Sequence, residues 1–257
     1  MRHILFLGDT QYPFVHDNAI NGVNKFIRGF DWQAKDELWF LGDGLDFDML
    51  SLKFPKNPER DSHLQHDIDG FRRDLLKPWA HYGPPRRVYL GGNHEYRIQT
   101  YMWHQAPKLS SLNGLQVEKL LQLEELGFEY YPYGKMVQVS GDFFATHGDI
   151  VRAHAGFTAK AMVDKTGVSG IMGHTHRLGQ STRRILDSTG GTKLIGWWEN
   201  GCLCDQTKMD WTTGVQDWHL GFSVGTFFDD EGSNKFAIEP VFVHDNGSFV
   251  FGGNVYD

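Results

Sequence analysis

The chain has 257 residues, of which 40% are hydrophobic and 22% charged, and its formal net charge is −7. This composition is typical of a folded globular protein and excludes a largely disordered chain. The acidic balance disfavours binding to nucleic acid through a broad basic surface, although bound divalent cations would add positive charge locally. No Pro/Gly/Ser-rich linker divides the sequence, so we expect one domain over residues 1–257.

The first half of the chain alternates strand-like and helical patterns. Short apolar runs predict buried strands at 3–7, 38–41 and 87–90. A helix is predicted from 61 to 79, closed by Pro78, and residues 96–126 have a helical pattern broken at Pro107 and Gly114. We expect the segment at about 96–134 to be a helical cap insertion that selects substrate. Alternating strands and helices favour parallel strands with crossover helices.

The second half is rich in strands. A hairpin is predicted over 137–146, a helix over 157–165, and further strands at 170–172, 182–186, 193–199, 221–228, 237–243 and 249–251. Such a succession favours antiparallel pairing. Two packed mixed sheets flanked by helices, an α/β fold, would satisfy both halves.

Two features bear on the cellular compartment. No run approaches the roughly 20 apolar residues that a membrane span needs, and the apolar run 3–7 is too short for a signal peptide. The two cysteines, Cys202 and Cys204, are expected to point to opposite faces of a strand, which makes a poor disulfide and a poor metal clip. These features predict a reduced, cytoplasmic protein without a membrane partner.

Five apolar strands end in clusters of metal-ligand side chains. The clusters are Asp9 with Gln11, Asp43, Asn93 with His94, His147, and His174 with His176. One such residue alone would be an ordinary turn residue. Sites in open α/β sheets form beyond the carboxyl ends of the strands, so all five clusters could meet at one rim. Carboxylates, amides and imidazoles without a thiolate disfavour structural zinc and predict hard-to-borderline cations, with an Asp able to bridge two of them.

These motifs resemble the signature of the calcineurin-like metallophosphoesterases. The family pattern is D-x-H, G-D-x-x-D, G-N-H-[DE], a lone His often followed by Gly-Asp, and G-H-x-H. It is matched in order at 8–11, 42–46, 92–95, 146–149 and 173–176. The segments 148–152 and 199–202 are similar to phage-encoded members. The resemblance implies a β-sandwich of two mixed sheets flanked by helices.

The resemblance also implies a role for each matched residue. The first metal would be held by Asp9, Gln11, Asp43 and His176, and the second by Asp43, Asn93, His147 and His174. His94 would face the phosphate and either protonate the leaving oxygen or stabilise the transition state. Gln11 stands where the family has His, so the first site would bind more loosely or favour Mn or Mg, or Gln11 would contact only a metal-bound water. We expect Asp46 and Glu95 to position their neighbours.

The implied activity is that of a dinuclear metal-dependent phosphoric ester hydrolase, in which a water bridging two divalent cations attacks phosphorus. Mn is the favoured metal, with Mg, Ni, Fe and Zn as alternatives. We expect a phosphodiesterase acting on DNA or nucleotides; a phosphomonoesterase and a catalytically weak metal-binding scaffold remain open, as does the oligomeric state. Arg152 and Arg177 follow ligand clusters and are predicted to grip the substrate phosphate, although solvated surface positions would fit them equally.

Overall fold

A computed structural model describes residues 1–53, 63–209, 212, 214–228 and 235–257. The strands are β1 (Arg2–Leu7), β2 (Glu37–Phe40), β3 (Arg86–Leu90), β4 (Phe128–Tyr131), β5 (Val137–Ser140), β6 (Phe143–Thr146), β7 (Ser169–Met172), β8 (Leu178–Leu186), β9 (Thr192–Asn200), β10 (Gly221–Phe227), β11 (Phe236–Phe242), β12 (Phe249–Phe251) and β13 (Asn254–Tyr256). The helices are α1 (Asp17–Gly29), α2 (Leu64–Phe71), α3 (Lys77–Tyr82), α4 (Tyr96–Gln105), α5 (Val117–Leu120) and α6 (Phe157–Thr166). Single 3-10 turns occur at Asp48–Leu50, Pro107–Ser111, Asn113–Leu115 and Gln206–Lys208, and a π turn at Arg72–Leu76.

Strands β1 to β11 form two mixed sheets, and β12 and β13 pair as a separate antiparallel hairpin. The first has the order β11-β10-β1-β2-β3-β4, in which β1 to β4 are parallel and β10 and β11 are antiparallel. The second has the order β5-β6-β7-β9-β8, in which β6, β7 and β9 are parallel and both edge strands are antiparallel. The prediction of two mixed sheets flanked by helices is confirmed. The expected antiparallel pairing of the second half was wrong for β6, β7 and β9. Helix α6 connects β6 to β7, and the antiparallel edge strand β8 connects β7 to β9, so these three strands run in the same direction.

The core has separate layers because successive strand residues point to opposite faces of a sheet. Leu5 of β1 packs in the apolar cluster that contains the residues of α1, whereas its neighbour Ile4 packs between the sheets with Phe143 of β6. On the outer face of the second sheet, Val163 of α6 packs in a cluster with Trp197 of β9. The order is therefore helices, first sheet, second sheet, helix.

One predicted helix end differs from the structure, and two strands were not predicted. Helical backbone continues from Leu64 through the π turn to Tyr82, so Pro78 does not close the helix; the predicted start at 61 lies outside the described residues. Pro78 lies in the first turn after the π turn, where a missing N–H breaks little of the hydrogen-bond pattern. Strands β4 and β13 were not predicted. Strand β4 lies within the segment 96–134, whose helical part comprises α4, α5 and the turns between them.

Among the described residues, no helix combines the length and the apolar character needed to cross a lipid bilayer.

Candidate metal centre

The five predicted clusters lie in the loops that follow β1, β2, β3, β6 and β7, and backbone contacts hold these loops together. The Asp9 N–H donates to the Gly42 carbonyl at 2.9 Å, and the Gln11 N–H donates to the Asp43 carbonyl at 3.0 Å. The His174 N–H, from the second sheet, donates to the Asp9 carboxylate at 3.1 Å. The clusters therefore meet where the two sheets adjoin.

Two groups of possible ligand atoms share the carboxylate of Asp43. Asp9, Asp43 and His176 offer atoms that all lie within 4.8 Å of one another, and so do Asp43, His147 and His174. His176 Nε2 is 3.2 Å from Asp9 Oδ1, and His147 Nε2 is 3.3 Å from Asp43 Oδ2. Two adjacent groups with one common carboxylate are the arrangement that dinuclear metal sites use.

The two amide side chains border these groups. Asn93 Oδ1 is 2.9 Å from His147 Nε2. Gln11 Nε2 is 3.2 Å from Asp43 Oδ2 and 3.4 Å from His176 Nε2, while the buried Gln11 Oε1 has no hydrogen-bond partner. Rotation of the amide by half a turn would bring this oxygen to the same atoms. An unpaired buried oxygen beside carboxylates and imidazoles fits a bound cation, which would accept it as a ligand.

Buried charge explains the protonation of the centre. Burial alone would raise the pKa of Asp43, but the neighbouring His147 and His94 outweigh burial and hold that pKa well below its usual range. Burial disfavours protonated His147 and His176, yet the carboxylates of Asp43 and Asp9 raise the pKa of each ring to about 9. Burial and the charge of His147 lower the pKa of His174 to about 4. In the metal-free protein, protons on His147 and His176 compensate the carboxylates, and divalent cations would replace them.

The backbone of the centre lies in an unusual region. Five of the predicted ligand residues have positive φ, namely Asp9 (50°), Gln11 (49°), Asp43 (54°), His174 (70°) and His176 (58°). Residues other than glycine rarely adopt this left-handed conformation, and such strain is concentrated at functional sites.

One glycine is required by the close approach of two loops. A Cβ added at Gly92 would lie 2.0 Å from Asp43 Oδ1 and 2.3 Å from Asp43 N. Any side chain there would therefore displace the shared carboxylate.

His94 is held beside the centre. Its Nδ1 is 2.6 Å from Asp46 Oδ1, and its Nε2 is 3.7 Å from Asp43 Oδ2. Asp46 thus orients the ring, as the sequence indicated. Arg97 also belongs to this group and was not predicted: its Nη2 is 3.1 Å from His94 Nε2, and its Nη1 is 2.9 Å from Asp46 Oδ1. The signal was available, because Arg97 follows His94 by three residues at the start of α4, where side chains at that spacing share a face.

Glu95 holds the second and third loops together. Its carboxylate accepts hydrogen bonds from the backbone N–H groups of Asp43 at 3.0 Å, Gly44 at 2.6 Å and Gly92 at 2.8 Å. The Tyr89 hydroxyl donates to it at 2.8 Å. Glu95 therefore positions its neighbours, as expected from the sequence.

Arg152 and Arg177 lie together on the loops after β6 and β7. The guanidinium of Arg177 donates to the Arg152 carbonyl at 2.7 Å and to the Asp217 carbonyl at 3.0 Å, and Arg152 itself is exposed. Their predicted contact with substrate stays a prediction.

The expectation for the two cysteines was wrong. The sulfur atoms of Cys202 and Cys204 and a ring nitrogen of His176 all lie within 4.8 Å of one another. Residues two apart in an extended chain point to the same face, and the intervening Leu203 points into the main core instead. A pair of thiols therefore borders the centre, although the two cysteines were expected to point to opposite faces and to make a poor metal clip.

Comparison with known proteins gives distant relatives. No family model matches the chain. It is 27% identical over 241 residues to the Gene 54 protein of Mycobacterium phage L5, covering 88% of this chain and 89% of that protein. It is 27% identical over 266 residues to the Gene 54 protein of Mycobacterium phage D29, covering 100% and 99%. These names state no activity, but the similarity extends along nearly the whole chain.

Solved structures are still more distant in sequence. Vps29 from Chaetomium thermophilum is 14% identical, with a TM-score of 0.37 over 94% of this chain and 97% of that one. A protein of unknown function from Aquifex aeolicus, AQ665, is 15% identical, with a TM-score of 0.30 over 69% and 81%.

Proposed function

We propose that this chain is a dinuclear metal-dependent phosphoesterase. The observation that carries the proposal is the pair of ligand groups sharing Asp43, at the meeting point of five strand ends, with His94 fixed beside them. The ordered motifs that resemble those of the calcineurin-like metallophosphoesterases support the same function. The left-handed backbone of the ligand residues adds to this support, since strain of that kind is retained where function requires it.

The side chains fit two divalent cations. One would be held by Asp9, Gln11, Asp43 and His176, and the other by Asp43, Asn93, His147 and His174. When bound, such cations lower the pKa of a water molecule and polarise phosphoryl oxygens. Oxygen and imidazole donors, with an amide in place of one His, favour Mn, and Mg, Ni, Fe and Zn are the alternatives.

The residues around the cations supply orientation and proton transfer. Asp46 accepts the Nδ1–H of His94, which leaves Nε2 directed toward the side of Asp43 where a phosphate ester would bind. His94 would protonate the leaving oxygen or stabilise the negative charge that develops on it. The guanidinium of Arg97 donates to the same Nε2; when Nε2 carries a proton for the leaving oxygen, the guanidinium would donate to a phosphoryl oxygen instead. Arg152 and Arg177 remain proposed contacts of the phosphate.

An aromatic cavity beside the centre favours a nucleotide or DNA phosphodiester as substrate. The cavity has a volume of about 310 Å³, and its lining includes Gly92, Tyr96, Trp103 and Tyr133. The Tyr133 ring centroid is 5.4 Å from that of Tyr96 and 6.0 Å from that of His147. Aromatic faces stack on nucleobases without needing a particular sequence. Most of this lining belongs to the proposed cap segment, so the cap would select the substrate.

The decisive experiment is hydrolysis by metal-stripped protein to which Mn, Mg, Ni, Fe or Zn is added back singly. We expect Mn to restore activity, with an aryl phosphodiester cleaved faster than an aryl phosphomonoester. Faster cleavage of the monoester would identify a phosphatase instead. Binding of both ions without turnover of either ester would favour a metal-binding scaffold. Gln11, which stands where the resembled family has His, is the residue that supports this alternative.

A further inference from the structure

A second cluster of ligand atoms lies behind the first proposed metal position. Cys204 Sγ is 3.8 Å from His176 Nδ1, and both sulfurs and a ring nitrogen lie within 4.8 Å of one another. In a tetrahedral site with bonds of about 2.3 Å to sulfur and about 2.0 Å to nitrogen, ligand atoms are separated by roughly 3.5–3.8 Å. The cluster therefore needs only small shifts to enclose an ion.

The two ring nitrogens of His176 face different groups of ligand atoms. Nε2 faces Asp9 Oδ1 at 3.2 Å, in the proposed metal centre, while Nδ1 faces the thiols. A neutral imidazole carries one proton and one free lone pair. When Nε2 donates its proton to Asp9, the lone pair of Nδ1 points at the sulfurs. When Nε2 binds a cation, the proton is on Nδ1 instead.

The surroundings suit a soft ion. Cys202, Cys204 and His176 are 1%, 2% and 5% exposed, and the thiols pack in an apolar cluster with Phe14 and Met209. A cleft of about 370 Å³ is lined by both cysteines and Trp218 and provides an entry path from outside. Sulfur ligands select zinc-like and Cu(I) ions over Mg and Mn.

We propose that Cys202, Cys204 and His176 Nδ1 bind a thiophilic cation of the zinc group, and that this ion competes with the first proposed metal position for the ring of His176. Binding releases the two thiol protons and the Nδ1 proton of the protonated His176 ring and keeps the remaining ring proton on Nε2, so the same ring is unavailable to a cation on the Asp9 side. The thiol site stands on its own geometry; the competition rests on the proposed function.

Cd²⁺ is the probe for the thiol site. The chain has two cysteines, so the ultraviolet absorption of a cadmium–thiolate bond can arise only from this cluster. We expect one Cd²⁺ per chain with this absorption, a cadmium NMR shift in the sulfur-ligand range, and loss of both signals in Cys202→Ala and Cys204→Ala. Phe14→Leu, which alters the same apolar cluster without removing a ligand, should retain them. Absence of the thiolate absorption in the wild type would overturn the thiol site.

A measurement on the wild type alone guards against variants that fail to fold. Stoichiometric Cd²⁺ should slow the reaction of both thiols with a disulfide reagent. Circular dichroism would verify that the protein stays folded during this measurement. Unchanged thiol reactivity at saturating Cd²⁺ would also overturn the site.

The competition is read from Mn²⁺ binding by electron paramagnetic resonance. Cd²⁺ bound at the thiols should lower the affinity of the protein for one of the two Mn²⁺ ions by about tenfold or more. Cys204→Ala should show no such effect. Thiolate absorption with undisturbed Mn²⁺ would overturn the competition. Thiolate absorption in a protein that binds no Mn²⁺ would instead overturn the proposed function, and the two failures are thus distinct.

Discussion

In the metal-free protein, the free energy of unfolding should reach its maximum near pH 6.5. The folded-state pKa of His147 and of His176 is about 9, whereas an unperturbed histidine has a pKa of 6.5. Between these values each ring is protonated in the folded state and neutral in the unfolded state. Stability therefore falls as pH rises, by about 1.4 kcal/mol per pH unit for each ring, or roughly 3 kcal/mol for each ring over the interval.

His174 contributes the opposite slope on the acid side. Its folded-state pKa is about 4, so between pH 4 and 6.5 the unfolded state binds the extra proton and stability rises with pH. The expected rise is again about 1.4 kcal/mol per unit. Bound divalent cations should remove the fall above pH 6.5, because they bind the neutral rings and replace the protons.

The assay is urea denaturation followed by tryptophan fluorescence, at a series of pH values with and without a chelator. His147→Gln should remove the contribution of His147 to the fall in unfolding free energy above pH 6.5 and leave that of His176. His104→Gln, a change at an exposed position on α4, should leave the curve unchanged. A flat curve above pH 6.5 in chelator, or one that still rises, would refute the charge arrangement described for the centre.

Three substitutions test the centre directly. His94→Ala should lower turnover by about 10²- to 10⁴-fold with both Mn²⁺ ions retained in elemental analysis, and metal loss would contradict its role as a proton donor. Gly92→Ala should lower the free energy of unfolding by about 1–3 kcal/mol and weaken Mn²⁺ binding in calorimetric titration, since the new Cβ would meet Asp43 Oδ1; native affinity would show that the loops can separate. Gln11→His should raise the affinity of the first proposed metal position for Ni²⁺ more than for Mg²⁺. An equal rise in affinity for both ions would argue against direct ligation by residue 11.

The sequence was most informative where local pattern and position coincide. Each ligand cluster directly follows a short apolar run, and the carboxyl ends of neighbouring parallel strands necessarily adjoin. The gathering of Asp9, Asp43 and Asn93, which follow β1, β2 and β3, could therefore be predicted without knowing the register, whereas the approach of His174 depends on how the second sheet packs on the first. Strand β4 could not, because Phe128–Tyr131 combines a charged residue with half-exposed tyrosines at a sheet edge and matches neither a buried run nor strict alternation.

Other features depend on contacts that no local pattern contains. The continuation of the helix past Pro78 depends on a π turn, which changes the hydrogen-bond register before the proline. The proximity of Cys204 to His176 joins residues 28 positions apart. It was also overlooked because Cys202 and Cys204 were expected to point to opposite faces, whereas residues two apart in an extended chain point to the same face. Arg97 is the exception, because the helical pattern was predicted to begin at residue 96 and the spacing places Arg97 one turn from His94.

The candidate ligands come from both sheets. Asp9, Asp43 and Asn93 follow strands of the first sheet, whereas His147 and His174 follow strands of the second. Cations held jointly by these residues would be cross-links between two layers that are otherwise joined by apolar packing and by a few hydrogen bonds, such as that from the His174 N–H to the Asp9 carboxylate. Part of the free energy of metal binding would then appear as resistance of the layers to separating, and amide hydrogen exchange along β2 and β7 would accelerate together on chelation.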